Sequence, residues 1–337
     1  MSKGTVFITG TAGFIGFHLA RLLLAEGFRV HGYDGMTAYY DVRLKQRRHA
    51  MLRQNEGFTA TEALLEDRAA LAQAVDAAKP DVIVHLAGQA GVRYSLENPR
   101  AYIETNITGT FNVMELARDH KVRHLLMAST SSVYGANEIM PFRETDKADT
   151  PLTIYAATKK ANEAMGHSWA HIYGLPVTMF RFFTVYGPWG RPDMALFKFT
   201  KGILEGTPID IYNHGDMWRD FTYVEDLVRG IRLLIDTPSA LPEGPVAEGD
   251  SLSPAAPYRV VNIGNSDKVR LMDFIDAIEQ ETGRKAIRNY LPMQAGDVPA
   301  TWADASLLKS LTGYAPQTPF REGVRRFVEW YRDYYGV

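Results

Sequence analysis

The stretch Lys3-Gly4-Thr5-Val6-Phe7-Ile8-Thr9-Gly10-Thr11-Ala12-Gly13-Phe14-Ile15-Gly16 decides how the rest of the chain is read. Val6, Phe7 and Ile8 form a short apolar run, the pattern of a strand buried on both faces. Three glycines follow at once in GxxGxxG spacing, and residues 14–25 then read as a helix. Gly10 permits the tight turn out of the strand, Gly13 lets backbone approach a pyrophosphate, and Gly16 lets helix and strand pack closely. The helix start offers unpaired N–H groups and a positive dipole end to phosphates. Working outward, residues 29–33 read as a second strand ending at Asp34, 18 residues after Gly16. That is close to the ~20 expected for the carboxylate that holds an adenosine ribose. A carboxylate there repels a 2′-phosphate, so the expected cofactor is NAD rather than NADP. Ala12, Phe14 and Ile15 belong to the same cradle.

Beyond this unit the first half keeps alternating. Strands are expected at 57–63, 82–85, 124–128 and 176–182, and helices near 44–55, 68–78, 99–120 and 155–173. That order predicts an α/β protein with a Rossmann-type, doubly wound parallel sheet. Leu86, Ala87 and Gly88 follow the fourth strand, and small residues there suit a dinucleotide lying across the sheet edge. Asp67, just before a helix, either caps it or touches the adenine. The second half has shorter elements and more Pro and Gly. It reads as a smaller substrate domain over residues 183–337, interleaved with a cofactor domain over 1–182 to which 222–236 returns. Residues 237–257, rich in Pro, Ser, Gly and acid, read as an exposed loop without chemistry. The last helix, near 320–335, places Val324, Phe327, Val328 and Tyr331 on one packing face.

Composition narrows the functional classes. The 337 residues carry a net charge of −2 with no basic block, which argues against nucleic acid as a partner. There are no cysteines, so disulfides, zinc–thiolate sites and cysteine nucleophiles are excluded. The nine histidines show no metal-ligand spacing and are read as surface or packing residues, so no metal is expected. No apolar run reaches the ~18–20 residues of a membrane span. The first residues enter a strand directly, so a cytoplasmic protein without a leader is expected.

The chemistry-bearing stretch is Tyr155-Ala156-Ala157-Thr158-Lys159. Residues four apart on a helix share a face, so phenol and ammonium point the same way. A phenol of pKa near ~10 is too weakly acidic to serve as a base at neutral pH, and a nearby cation lowers that value. Tyr155 is thus the candidate general base, and Lys159 its activator and a holder of the nicotinamide ribose. Ser129, Thr130, Ser131 and Ser132 supply a hydroxyl cluster at the end of the preceding strand.

Together, TGTAGFIG over 9–16, YxxxK and this hydroxyl row resemble the extended short-chain dehydrogenase/reductases. That resemblance implies that Thr130, four residues before the Tyr of Val133-Tyr134-Gly135, completes the catalytic set. The wording HLAGQAGVRYSLENP over 85–99 resembles the nucleotide-sugar epimerases, and RFFTVYGPWGRPDM over 181–194 resembles the UDP-glucuronate 4-epimerase group of the NAD-dependent epimerase/dehydratases. It implies epimerisation at carbon 4 of a UDP-sugar, UDP-glucuronate to UDP-galacturonate, through a transient 4-keto sugar. Asn106 then braces the catalytic region. Arg93, Ser131, Ser132, Thr184, Arg191, Met194 and Tyr212 fall to the substrate, with Arg191 and its donor fork suited to a carboxylate or phosphate. Arg219 falls to the diphosphate, and the segment with Gln294 and Asp297 to closure over the nucleotide. Where the family usually has an Asp for the adenine, this chain has Leu64. Homodimerisation through helices 99–120 and 155–173 is implied too. Dehydratases carry an Asp-Glu pair directly after the catalytic Thr, and here Ser131 and Ser132 stand there. A UDP-glucose/UDP-galactose 4-epimerase, a UDP-glucuronate decarboxylase and a non-catalytic NAD-binding regulator are the alternatives.

Overall fold

The computed structural model describes residues 3–294 and 296–337. Strands and helices alternate first: β1 (Thr5–Thr9), α1 (Phe14–Ala25), β2 (Arg29–Asp34), α2 (Val42–Leu52), β3 (Phe58–Glu62), α3 (Arg68–Ala78) and β4 (Val82–His85). Two short helices, α4 (Tyr94–Glu97) and α5 (Pro99–Tyr102), run through a π-helical turn at Ile103–Gly109 into α6 (Thr110–Asp119). Then come β5 (His124–Thr130), α7 (Ile154–Tyr173), β6 (Val177–Phe182), β7 (Thr184–Tyr186), α8 (Ala195–Glu205) and β8 (Pro208–Ile211). The chain continues through β9 (Trp218–Tyr223), α9 (Val224–Ile235), β10 (Tyr258–Ile263), β11 (Lys268–Arg270), α10 (Leu271–Thr282) and β12 (Ile287–Tyr290). It ends with β13 (Ala300–Thr301), α11 (Ser306–Thr312) and α12 (Phe320–Tyr335).

Seven strands form one sheet in the order β10-β6-β5-β4-β1-β2-β3, every pair parallel. Successive side chains alternate between its faces. Val6 and Ile8 of β1 join a core with α1 and α9, while Phe7 packs on the opposite side with α3 and α6. Strand order reverses between β1 and β4, and such a sheet opens its ligand crevice at the strand ends beside that point. Over those ends sits a small sheet built on β9, flanked by β11, β13 and β7, with β8 and β12 paired separately. Its own core joins α8, α10 and α12 through Phe197, Phe221, Phe274 and Phe327.

Two expectations need revision. Residues 258–263, read as part of the smaller unit, are the seventh strand of the large sheet, with Val261 and Ile263 fully buried. The chain therefore returns to the large sheet a second time, after α9 has packed on α1. The loop over 237–257 is not wholly exposed. Ser253 is buried and takes a 2.8 Å hydrogen bond with His167, Asp250 is paired with Arg259, and Ala256 is buried. Among the described residues no helix is long and apolar enough to cross a membrane, and no cluster of three or more His, Asp and Glu could hold a metal ion.

Candidate active site

The turn after β1 builds the first half of the site. Gly10 adopts φ +82°, open to glycine without strain, and its N–H donates to the Tyr33 carbonyl at 2.7 Å. A Cβ on Gly16 would fall on the Gly10 carbonyl, so only glycine lets α1 approach this turn. The result is a cleft of about 280 Å³ lined by Gly10, Gly13, Phe14, Ile15, Gly16, Asp34, Leu86, Ala87 and Gly88. Ser129, Thr130, Tyr155 and Lys159 close its far end. Backbone amides at a helix start, a carboxylate at the end of β2 and small residues after β4 fit a dinucleotide.

Three expected cofactor residues stand behind the cleft rather than in its wall. The Ala12 N–H is taken by Asp34 Oδ2 at 2.9 Å, and its carbonyl accepts from the fully buried Arg48. Asp67 caps α3 by accepting from Ala70 N at 3.0 Å, while Leu64, Leu65 and Glu66 line the cleft. Asn106, in the π-helical turn, accepts from Gln89 N at 2.8 Å and donates to the Gln89 carbonyl and to Thr158. It thus braces the loop after β4 against α7.

The catalytic corner lies where β5 ends. Thr153 caps α7 and starts it so that Tyr155 and Lys159 face β5. Thr130, the last residue of β5, is hydrogen bonded to Tyr155 and also accepts from Ser132 N at 3.2 Å. Lys159 Nζ donates to the Ala128 carbonyl at 3.1 Å. Burial pushes the phenol up, and the groups that pull it down are the Thr130 hydrogen bond and the Arg191 charge. Burial also brings the Lys159 ammonium down to about 8.

A second cavity, of about 1000 Å³, opens from this corner beneath the smaller unit. Arg93, Ser131, Ser132, Thr184, Arg191, Met194, Tyr212, Arg219 and Asp297 all line it. Tyr155, Thr130, Arg191 and Met194 line both cavities and mark their seam. The Arg191 fork is not open as expected. Nε and Nη2 donate to Asp193 at 3.0 and 2.5 Å, because Asp193 is only two residues on. Arg219 donates to Asp297 at 2.8 Å, and Arg93 lies over the Tyr212 ring at 4.8 Å. Gln294 does not line the cavity, and its Oε1 is buried without a partner. Its neighbour Ala295 lies outside the described residues. The reading from sequence missed Tyr39, which lines both cavities and donates to Asp193 at 3.2 Å. It also missed Lys45, whose ammonium is held by Thr37 in the cofactor cleft. Neither sits in a recognisable spacing.

A dinucleotide cleft that meets a sugar-sized cavity at a tyrosine, a lysine and a threonine defines the class. The chain belongs to the NAD dependent epimerase/dehydratase family, whose model matches residues 6–264. Within it, the chain is 58% identical over 330 residues to a probable UDP-glucuronate 4-epimerase of Rhizobium meliloti, covering 97% of both chains. It is 44% identical over 337 residues to UDP-glucuronate 4-epimerase 1 of Arabidopsis thaliana, covering 98% of this chain and 77% of the relative. Among solved structures it is similar to the UDP-glucuronic acid 4-epimerase of Bacillus cereus, in complex with UDP-glucuronic acid and NAD. That match has a TM-score of 0.87 and 29% identity, covering 98% of this chain and 100% of the other.

Proposed function

We propose that this chain interconverts UDP-glucuronate and UDP-galacturonate by inverting carbon 4, with NAD retained throughout. The observation that carries the reading is the seam. Tyr155 and Thr130 stand between the two cavities, flanked on the sugar side by Ser131, Ser132, Thr184 and Arg191. The relatives named above support the same substrate.

Gly10, Gly13, Gly16, Asp34 and Lys159 would hold the dinucleotide, which when bound supplies the acceptor and donor for the hydrogen on carbon 4. Tyr155 takes the proton from the 4-hydroxyl and later returns it. Thr130 keeps the 4-oxygen and the phenol aligned. The 4-keto sugar is a β-keto acid, prone to lose carbon dioxide. Ser131, Ser132 and Thr184 grip its carboxylate beside Arg191, which disfavours departure. A cavity of about 1000 Å³ leaves the keto sugar room to turn and present its other face. Arg219 holds the diphosphate, with Asp297 closing over it. We further propose a homodimer, supported by exposed apolar residues on the helices before and after β5, among them Ile103, Phe111 and Ile172. Cytoplasmic placement is proposed with it.

The test is proton NMR of the purified protein with UDP-glucuronate and no added NAD. UDP-galacturonate is the expected product and would show that the cofactor co-purifies. A pentose or 4-keto sugar would instead establish a decarboxylase. Turnover of UDP-glucose alone would establish a neutral-sugar epimerase.

A further inference from the structure

On α7, Tyr155, Lys159 and Glu163 recur every four residues and share one face. That face meets the last three residues of β5 with one contact each. Lys159 Nζ donates to the Ala128 carbonyl at 3.1 Å. The Ser129 hydroxyl donates to Glu163 Oε1 at 2.6 Å. Tyr155 is hydrogen bonded to Thr130. Glu163 is also pinned from its far side. Arg181 of β6 donates Nε to Oε1 at 2.9 Å and Nη2 to Oε2 at 2.8 Å, and both side chains are 3% exposed. The Tyr134 ring in turn lies against the Arg181 guanidinium, 4.6 Å from its centroid.

Of the three contacts, the Ser129–Glu163 bond involves neither Tyr155 nor Lys159, and it is short, charge-assisted and buried. Apolar packing alone allows a helix small slides over a sheet, whereas a bond from a fixed carboxylate to the residue before Thr130 does not. We propose that Glu163 is a positioning residue for proton transfer: through Ser129 it sets where Thr130 stands relative to the Tyr155 phenol. Arg181 holds that carboxylate in place. Misplacement by about 1 Å at a reacting centre costs on the order of a hundred-fold in rate, so such an anchor has a measurable effect.

The inference rests on Tyr155 and Thr130 acting in the proposed epimerisation. Glu163→Gln alone would strand a buried Arg181. Two other variants therefore make the test. Ser129→Ala cuts the bond and leaves the ion pair. The double variant Glu163→Leu with Arg181→Met replaces the pair by apolar groups of similar size, a change that buried pairs often tolerate. Ser129→Ala should lower kcat about ten-fold, with KM for UDP-glucuronate unchanged. The double variant should keep its Tm and lose at least as much in kcat. In both, the acid limb of the kcat/KM profile should move to higher pH, because Tyr155 loses a well-placed Thr130 hydrogen bond. Wild-type kcat with an unmoved limb in either variant, or losses that follow Tm alone, would overturn the inference. If the wild-type protein is inert towards UDP-glucuronate, it is the reading of function that fails. The same comparison is then made on UDP-glucose, so the two failures separate.

Discussion

Tyr155 has to act as a base while burial opposes its charged form. In the free protein the phenol is protonated at neutral pH, so the rate should rise with pH as the phenolate forms. The Lys159 ammonium, brought to about 8, is charged below that pH and loses its charge above it. Catalysis should therefore be greatest above pH 8, between the Lys159 value and the still higher one of the phenol. Arg191 supplies the remaining cation that pulls the phenol down, so Arg191→Gln should move the acid limb of kcat/KM to higher pH. It should also raise KM for UDP-glucuronate about ten-fold or more, while inhibition by UDP is unchanged. Arg219→Ala should weaken UDP and UDP-glucuronate alike, by about ten- to a hundred-fold, with kcat little altered. Equal losses for UDP and UDP-glucuronate in Arg191→Gln would remove that residue from the carboxylate. Tyr155 and Lys159 were legible because helical spacing alone puts them on one face. The Arg191 fork was misread because its partner Asp193 is a matter of local folding, and Tyr39 becomes visible only when the loop after β2 meets the one after β7.

The elements divide the same way. The strand–glycine–helix unit was legible because each glycine is forced by backbone approach, which spacing records. Gly16→Ala puts a methyl on the Gly10 carbonyl, which neither backbone can yield to cheaply. It should destabilise the fold by at least ~2 kcal/mol and leave the purified protein depleted of NAD, by thermal denaturation and absorbance. Wild-type Tm and full NAD content would mean that α1 can retreat. The helix expected over 99–120 is continuous in outline but opens into a π-helical turn at Asn106, a feature frequent at functional sites. Strand β10 was lost because its partner β6 is far back in the chain. It also carries a titrating anchor: the backbone N–H of Asn262 donates to Glu144 Oε1 at 2.7 Å, and burial raises Glu144 to about 7. A carboxyl raised on folding costs nothing below its unfolded pKa, and stability is lost as pH climbs through the folded one. Glu144→Gln keeps an acceptor for Asn262 and removes that penalty. The variant should match wild type near pH 4.5 and exceed it at pH 8 by roughly 3 kcal/mol at most, read from paired denaturation curves. A difference independent of pH would place the Glu144 titration outside this range.

At the scale of the whole molecule, one chain supplies every group at the seam, from β5, α7, the loops after β2 and β4 and the residues on either side of β7. The second copy proposed above would therefore serve stability rather than chemistry. The surface that would receive it is specific. Phe111 of α6 packs edge-on to Trp169 of α7 with ring centroids 5.5 Å apart, and Trp169 meets Tyr173 at 5.1 Å. Arg118 lies over both the Trp169 and Tyr173 rings, at 5.8 and 5.0 Å. Phe111 is 38% exposed and Ile172 64%, so this aromatic and arginine cluster faces outward with apolar area still uncovered. Aromatic and arginine side chains are those enriched at the anchoring centres of protein interfaces. The chain should sediment as a dimer at micromolar concentration. Phe111→Asp combined with Ile172→Asp should yield monomers with a lower Tm but with Tyr155, Thr130 and Lys159 undisturbed, so kcat per chain should fall less than five-fold at a temperature where the monomer is folded. A wild-type monomer would withdraw the dimer. A folded monomeric variant without activity would mean that α7 needs its neighbour to hold Tyr155 in place, and the self-sufficiency of the site would have to be given up.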